Sequence, residues 1–160
     1  MFRLFKCDEN GNIAAYHEVW VELKPRRIIE HWGMLGTRGD TDAHRIKLFR
    51  SLEQQISDLL DPARALGFSE IDQIEYKTLI VAYEIGEAWC VEDQEKIRGA
   101  EDALTETLGW TGLGTCEGET VSETMIEYTC RVLDIDLATA CIRDQMADTE
   151  FDDYSRIHQE

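Results

Sequence analysis

The strongest constraint on the fold is a strict alternation of apolar and polar residues from Thr124 to Leu133. Ile126, Tyr128, Cys130 and Val132 alternate with glutamate, threonine and arginine side chains along this segment. Successive side chains of a β-strand point to opposite faces of the sheet, so a period of two indicates a half-buried strand. The segment is therefore predicted to be the clearest strand of the chain.

The elements around this strand alternate between strands and helices. A strand is predicted over residues 76–85 and helices over residues 92–108 and 136–146, with an apolar stripe at helical spacing on the first helix. Short strands near Cys116 and over residues 154–158 complete the order βαββαβ. This order resembles the ferredoxin-like split arrangement, so the second half is expected to be an α+β domain of that kind.

The first fifty residues contain a separate set of strands joined by turns. Strands are predicted over residues 3–7, 16–24, 27–35 and 41–48. An Asn-Gly turn separates the first two strands, and glycines mark the turn before the fourth. These strands are expected to form a small antiparallel sheet.

At Ser51 the apolar period changes from that of a strand to that of a helix. The apolar residues that follow recur at helical spacing, and Ser51-x-x-Gln54 resembles a capping box. Pro62 is expected to break or restart this helix, because proline lacks a backbone N–H. Gly67 is expected to end it.

Residues 16–68 carry a family resemblance that centres on HWGMLGTRGDT at residues 31–41. This segment resembles a WGR domain, a small antiparallel sheet with a Trp-Gly-Arg run, a glycine turn and a helix that ends near a Gly-aromatic pair. The matching positions are Trp32, Gly33, Gly36, Gly39, Thr41, the helix from Ser51, and the pair Gly67-Phe68.

The resemblance implies a binding role and also departs from the family at two positions. WGR domains occur in poly(ADP-ribose) polymerases, where they contact DNA ends and the catalytic region, and in small bacterial proteins. Met34 stands where the family usually has its arginine, and Asp40 replaces an uncharged polar residue. The substitution at Met34 removes a charge suited to a phosphate or a carboxylate.

The charge is divided unevenly along the chain. Residues 1–74 carry ten Lys/Arg and twelve Asp/Glu, a net of −2, whereas residues 75–160 carry six and twenty-one, a net of −15. Within the first part, residues 24–50 hold seven cations against three carboxylates, a local net of +4. The negative second half repels nucleic acid and attracts basic proteins or cations.

The candidate contact residues come from the WGR-like motif and from this basic segment. The principal candidates are Trp32, Arg38 and Arg45. The supporting candidates are Lys24, Arg26, Arg27 and Lys47.

The cysteines and histidines of this chain are expected to have structural roles. The five cysteines are odd in number and contain no C-x-x-C spacing, so neither a disulfide framework nor a zinc site is expected. His31 and His44 lie on neighbouring predicted strands and are expected to be able to approach each other. Two histidines without a third ligand do not make a metal site.

The remaining chemical signals also have simple explanations. The glycines of residues 109–118 lack the Lys-Ser/Thr of a phosphate loop and indicate a hairpin connection. The carboxylates of two segments lack the pattern of a calcium loop and are expected to form a solvated acidic face. They are Glu92, Asp93, Glu95, Glu117, Glu119 and Glu123. No cofactor and no metal are expected.

The sequence predicts a WGR-like domain over residues 1–73 and an acidic ferredoxin-like domain over residues 74–160, joined near Asp72–Glu75. The first function expected is a non-catalytic binding or adaptor protein whose WGR-like domain contacts nucleic acid or protein. Its acidic second domain is expected to serve regulation or to bind a basic protein partner. The alternative is an immunity- or antitoxin-type protein that neutralises a basic partner, and the third choice is a metal-dependent enzyme. The absence of a signal-peptide core and of long apolar runs favours a cytoplasmic protein without membrane partners.

Overall fold

The computed structural model of the chain describes residues 1–71, 74–85 and 91–160, without the side chains of residues 91–94 and 96. The chain divides into two units, Met1–Ile74 and Glu75–Glu160. Each unit has a four-stranded antiparallel sheet and at least one helix, so the predicted α+β class is confirmed. The predicted junction lies partly outside the described residues, as do the side chains of Glu92 and Asp93. Among the described helices, none has the length and apolar character needed to cross a bilayer.

The first unit contains a meander in which neighbouring strands pair in chain order. Its strands are β1 (Phe2–Cys7), β2 (Ile13–Leu23), β3 (Arg26–Met34) and β4 (Asp40–Arg45). The fourth strand ends three residues earlier than predicted, because the backbone N–H of Lys47 donates to the side chain of Gln55 (2.7 Å) instead of a neighbouring strand.

Helix α1 (Leu52–Ala65) follows the meander. Ser51 caps its first turn by accepting a hydrogen bond from the backbone N–H of Gln54 (3.1 Å). The predicted break at Pro62 is wrong, because the helix continues through this residue. Proline removes one N–H donor, and the burial of Leu60 and Ala63 in the core holds the helix together across that position. Gly67 follows the helix with a φ of +92°, as expected for a glycine that ends a helix.

The core of the first unit lies between one face of the sheet and α1. Alternate residues of the strands contribute Leu4, Val19 and Ile28, and the helix contributes Ile56, Leu60 and Ala63. The helical spacing of the last three residues places them on one side of α1. Their burial against the sheet therefore explains the change of apolar period at Ser51.

Two glycines of the WGR-like motif let the β3–β4 turn lie close to β3. A Cβ atom at Gly39 would lie 2.2 Å from the carbonyl oxygen of Trp32, and Gly39 has a φ of +61°. A Cβ atom at Gly33 would lie 2.8 Å from the Cα of Gly39. Only glycine fits this approach without a backbone shift.

The second unit has the predicted order βαββαβ. Its elements are β5 (Lys77–Glu84), α2 (Val91–Trp110), β6 (Gly114–Val121), β7 (Met125–Val132), α3 (Ile135–Met146) and β8 (Arg156–Gln159). The sheet order is β6-β7-β5-β8, and all described pairings are antiparallel. Helix α2 contacts β6 and α3, and α3 contacts β5.

The alternation in β7 has the predicted consequence for burial. Ile126, Tyr128, Cys130 and Val132 are all buried. Asp134 accepts a hydrogen bond from the backbone N–H of Leu137 (2.9 Å) at the start of α3. The glycine-rich segment is only partly a connection, since its residues from position 114 onward belong to β6.

Candidate functional site

The strand register separates the seven predicted contact residues into two groups. Arg27 of β3 pairs with Arg45 of β4, whereas Trp32 pairs with Asp40 toward the other end of the same strands. The two pairs are five positions apart along an extended strand, or roughly 16 Å. Trp32 and Arg38 therefore lie apart from the other five predicted contacts.

These five residues gather at the sheet end that is closed by the turn between β2 and β3. Arg50, which sequence reasoning did not select as a contact, extends the group, because it lines the same cleft as Arg45 and Lys47. We call these six residues the basic end: Lys24, Arg26, Arg27, Arg45, Lys47 and Arg50.

Two cations of the basic end are neutralised by carboxylates. Nε of Arg27 lies 2.6 Å from Oε2 of Glu22, and Nη2 of Arg50 lies 2.7 Å from Oδ2 of Asp58. The other four cations are exposed and form no ion pair with any residue of the described ranges. The basic end therefore has four exposed cationic side chains outside these ion pairs, and Asp58 of the cleft lies near Lys47 as well as Arg50.

A cleft of about 120 Å³ lies beside β4 and the start of α1. Its lining includes three residues of the basic end together with His44, Gln55 and Asp58. The cleft gives the basic end a concave surface on which one anionic group can contact several donors.

Gln55 fixes the segment between β4 and α1. Its side chain is buried, accepts from the backbone N–H of Lys47 (2.7 Å) and donates to the carbonyls of Lys47 (3.1 Å) and Arg50 (3.1 Å). The two cations of this segment are therefore attached to a fixed backbone. Sequence reasoning missed Gln55, and its one signal is a polar residue within an otherwise apolar helical stripe.

Two large apolar side chains project from the same segment. Leu48 is 74% exposed and Phe49 is fully exposed. They stand between Lys47 and Arg50 in the chain, so the exposed aromatic residue has a cationic residue on each side in the sequence. An aromatic side chain flanked by cations is suited to contact a ligand that is both flat and anionic.

Trp32 and Arg38 have different surroundings at the other end of β3. Trp32 is half-buried, and its ring stacks on His17 with a centroid distance of 6.0 Å and an interplanar angle of 21°. Arg38 is exposed, and its carbonyl oxygen accepts a hydrogen bond from Nε2 of His31 (2.8 Å). The structure thus gives Trp32 a packing contact and leaves the Arg38 side chain in solvent.

A carboxylate lies between two histidines on the helix-facing side of the sheet. Oε1 of Glu30 lies 3.0 Å from Nε2 of His17, and Oε2 of Glu30 lies 2.8 Å from Nε2 of His44. Burial lowers the pKa of His17 from its ordinary value, although the negative charge of Glu30 acts in the opposite direction. His17 is therefore neutral at neutral pH.

The predicted approach of His31 to His44 is wrong. His44 pairs with Ile28 and His31 pairs with Thr41, three positions apart along β3, so the two histidines lie on opposite faces of the sheet. Within the described part of the chain, no group of three His, Cys, Asp or Glu side chains is arranged to hold a metal ion.

The fold and the site define a two-unit α+β protein with a cationic end on its first sheet. Comparison of the chain with protein-family models, curated proteins and solved structures gave no match.

Proposed function

We propose that this chain is a non-catalytic binding protein whose first unit is a WGR-like domain that contacts single-stranded nucleic acid through the basic end. Its acidic second unit, ferredoxin-like in element order, restricts that binding by electrostatic repulsion. The observation that carries the proposal is the group of four exposed cations outside ion pairs at the basic end, together with the exposed Phe49 between Lys47 and Arg50 in the chain.

The electrostatic part of the proposal rests on local rather than total charge. Phosphate groups bind Lys and Arg side chains, and the resulting affinity weakens strongly as salt increases. At physiological ionic strength the Debye length is about 8 Å, so a ligand responds mainly to charges near its contact surface. The local excess of cations at the basic end can therefore attract a polyanion although the chain carries −17 overall.

The preference for a single strand follows from Phe49. Unpaired bases expose their flat faces, and stacking on an aromatic side chain contributes about 1–3 kcal/mol per base. In a duplex, those faces are already stacked on neighbouring base pairs. A fully exposed ring between Lys47 and Arg50 therefore favours an unpaired nucleotide.

The WGR assignment is supported by the meander, by the close approach at Gly33 and Gly39, and by the helix that ends at Gly67. Met34 replaces the family's arginine at the exposed end of β3, beyond Trp32. This substitution lowers the positive charge at that end of the strand. It supports a contact surface at the basic end instead of beside the tryptophan.

A matched pair of charge reversals tests the proposal. We expect Arg45→Glu to weaken binding of a labelled single-stranded oligonucleotide to the full chain by about tenfold or more, because it removes a charge-assisted contact. We expect Arg38→Glu, which makes the same charge change at an exposed site between β3 and β4, to weaken this binding by less than about threefold. Fluorescence anisotropy at roughly 50 and 200 mM salt measures both.

The same titrations include a duplex of the same sequence, which is expected to bind more weakly than the single strand. Equal losses for both variants would show that overall charge, and not the basic end, governs binding. An absence of oligonucleotide binding by the unsubstituted chain at both salt concentrations would refute the proposal.

The net charge of −15 on the second unit favours one alternative function. A neutraliser of the immunity or antitoxin type places such a surface against a basic partner, with fast association and steep salt dependence. If the chain binds basic proteins and no oligonucleotide, this alternative replaces the proposal.

A further inference from the structure

Cys116 and Cys130 face each other on the two strands at one edge of the second sheet. They are direct partners in the antiparallel register of β6 and β7, and both are free thiols. Directly opposed residues of antiparallel strands project from the same face, with Cα atoms about 4.5–5.5 Å apart. This spacing lies within the range of about 4.4–6.8 Å found for disulfides.

The two thiols differ in exposure and acidity. Cys116 is partly exposed, whereas Cys130 is completely buried. The hydrogen bond between them lowers the pKa of Cys116, against the effects of its burial and of Glu101 and Glu119, and it raises the pKa of Cys130. Cys116, the more exposed thiol and the one with the lowered pKa, is therefore assigned the attacking role, with Cys130 beside it as the resolving thiol.

The backbone at Cys116 has room to adjust. The register shifts between Cys116 and Gly118, which marks a β-bulge in β6. Strand β6 is at the edge of the described sheet, and Gly118 has a φ of +139°. A bulge on an edge strand can absorb the small change in side-chain geometry that a new covalent bond requires.

We infer that Cys116 and Cys130 form an oxidisable dithiol that closes to a cross-strand disulfide when it meets a peroxide. The Cys116 thiolate attacks one peroxide oxygen, so that an S–O bond forms, the O–O bond breaks and hydroxide leaves as water after protonation. The Cys130 sulfur then attacks the sulfenic sulfur, the S–S bond forms, the S–O bond breaks and a second water leaves. Overall, two thiols and one hydrogen peroxide give one disulfide and two waters.

The disulfide would join the edge strand β6 covalently to β7. A cross-link of this kind restricts the unfolded chain and raises stability when the native geometry accommodates it. Because no residue of the basic end takes part, this chemistry is independent of nucleic-acid binding.

Mass spectrometry of the full chain after treatment with one equivalent of hydrogen peroxide tests the inference. Both cysteines lie on one tryptic peptide, residues 99–131, which is expected to lose the mass of two hydrogen atoms and to regain it on reduction. Cleavage after glutamate separates the two cysteines and is expected to give a cross-linked pair. The oxidised protein is expected to show a higher Tm than the reduced protein.

Two serine variants identify the reacting pair. Cys116→Ser is expected to abolish the loss of mass, and Cys141→Ser, which removes another partly exposed thiol, is expected to leave it unchanged. Binding of one trivalent aryl arsenical per unsubstituted chain, with protection of these two thiols from alkylation, gives a second readout that needs no variant. Over-oxidation of Cys116 without cross-linking, or a disulfide to any other cysteine, would overturn the inference.

Discussion

At the scale of single residues, His17 links the stability of the first unit to pH. Its side chain is buried beside Glu30, and burial lowers its pKa below the ordinary value of 6.5. The carboxylates of Glu30 and Glu18 raise this pKa and His31 lowers it further, so burial prevails over the two negative charges. The unfolded chain, by contrast, binds a proton at this histidine near pH 6.5.

The sign of the pH dependence follows from this difference. Below pH 6.5 the unfolded state binds more protons than the folded state, so the free energy of unfolding decreases as pH falls. The contribution of His17 is fully present above pH 6.5 and is lost as pH falls toward its lowered folded pKa. We expect His17→Gln to remove this component from urea-unfolding free energies measured between about pH 7.5 and 5.

His44→Gln is the matched control, because it removes the other imidazole beside Glu30 and leaves His17 in place. The loss of stability below pH 6.5 should persist in this variant. If both variants show the same loss of stability below pH 6.5 as the unsubstituted chain, the pH dependence arises from other groups.

At the scale of elements, Gln55 joins the start of α1 to the segment that follows β4. Its buried amide satisfies the N–H of Lys47 and the carbonyls of Lys47 and Arg50. Replacement by leucine leaves these backbone groups without their partner, which costs about 1–3 kcal/mol for each buried unsatisfied group. We expect Gln55→Leu to lower the free energy of unfolding by about this amount and to speed amide exchange at Lys47. We also expect it to weaken oligonucleotide binding, although the charge of the chain does not change.

Gln54→Leu provides the control on the same helix. The Gln54 side chain is exposed and donates to Asp58 (3.0 Å), so its loss should change the unfolding free energy by less than about 0.5 kcal/mol. If Gln55→Leu proves as mild as Gln54→Leu, the segment is held by other contacts.

The elements that the sequence predicted well depend on local patterns. Alternation identified β7, and the side chain of Ser51 identified the start of α1, because the burial period and the capping hydrogen bond involve residues close in the chain. Pro62 was misjudged because tertiary packing of its neighbours outweighs one missing donor. The helix propensities of the residues around Pro62 do not include the energy of that packing.

The candidate site was only partly predictable for a related reason. Arg38 and Arg45 are close in sequence, yet Arg38 lies before the start of β4 and Arg45 at its end, because an extended strand separates residues quickly in space. The approach expected of His31 and His44 failed because the face on which a residue lies depends on the register that the turn sets. Neither the register nor the contact of Gln55 with Lys47 can be read from spacing alone.

At the scale of the whole molecule, the distance over which charge acts decides whether the basic end can function. The Debye length is about 30 Å at 0.01 M salt and about 8 Å at 0.15 M. At low salt the net charge of −15 on the second unit therefore opposes a polyanion over long distances. At higher salt this repulsion is screened before the direct contacts at the basic end are lost.

Neutralising part of the acidic unit should therefore strengthen oligonucleotide binding only at low salt. Glu117, Glu119 and Glu123 are exposed, and their combined replacement by glutamine removes three negative charges while preserving side-chain shape. We expect the triple variant to bind a single-stranded oligonucleotide more tightly than the unsubstituted chain at about 10 mM salt and equally at about 200 mM salt. A gain of equal size at both concentrations would mean that these carboxylates act within a Debye length of the bound strand. No gain at either would mean that the second unit does not restrict the basic end by its charge, so its role in binding would have to be sought in a different partner.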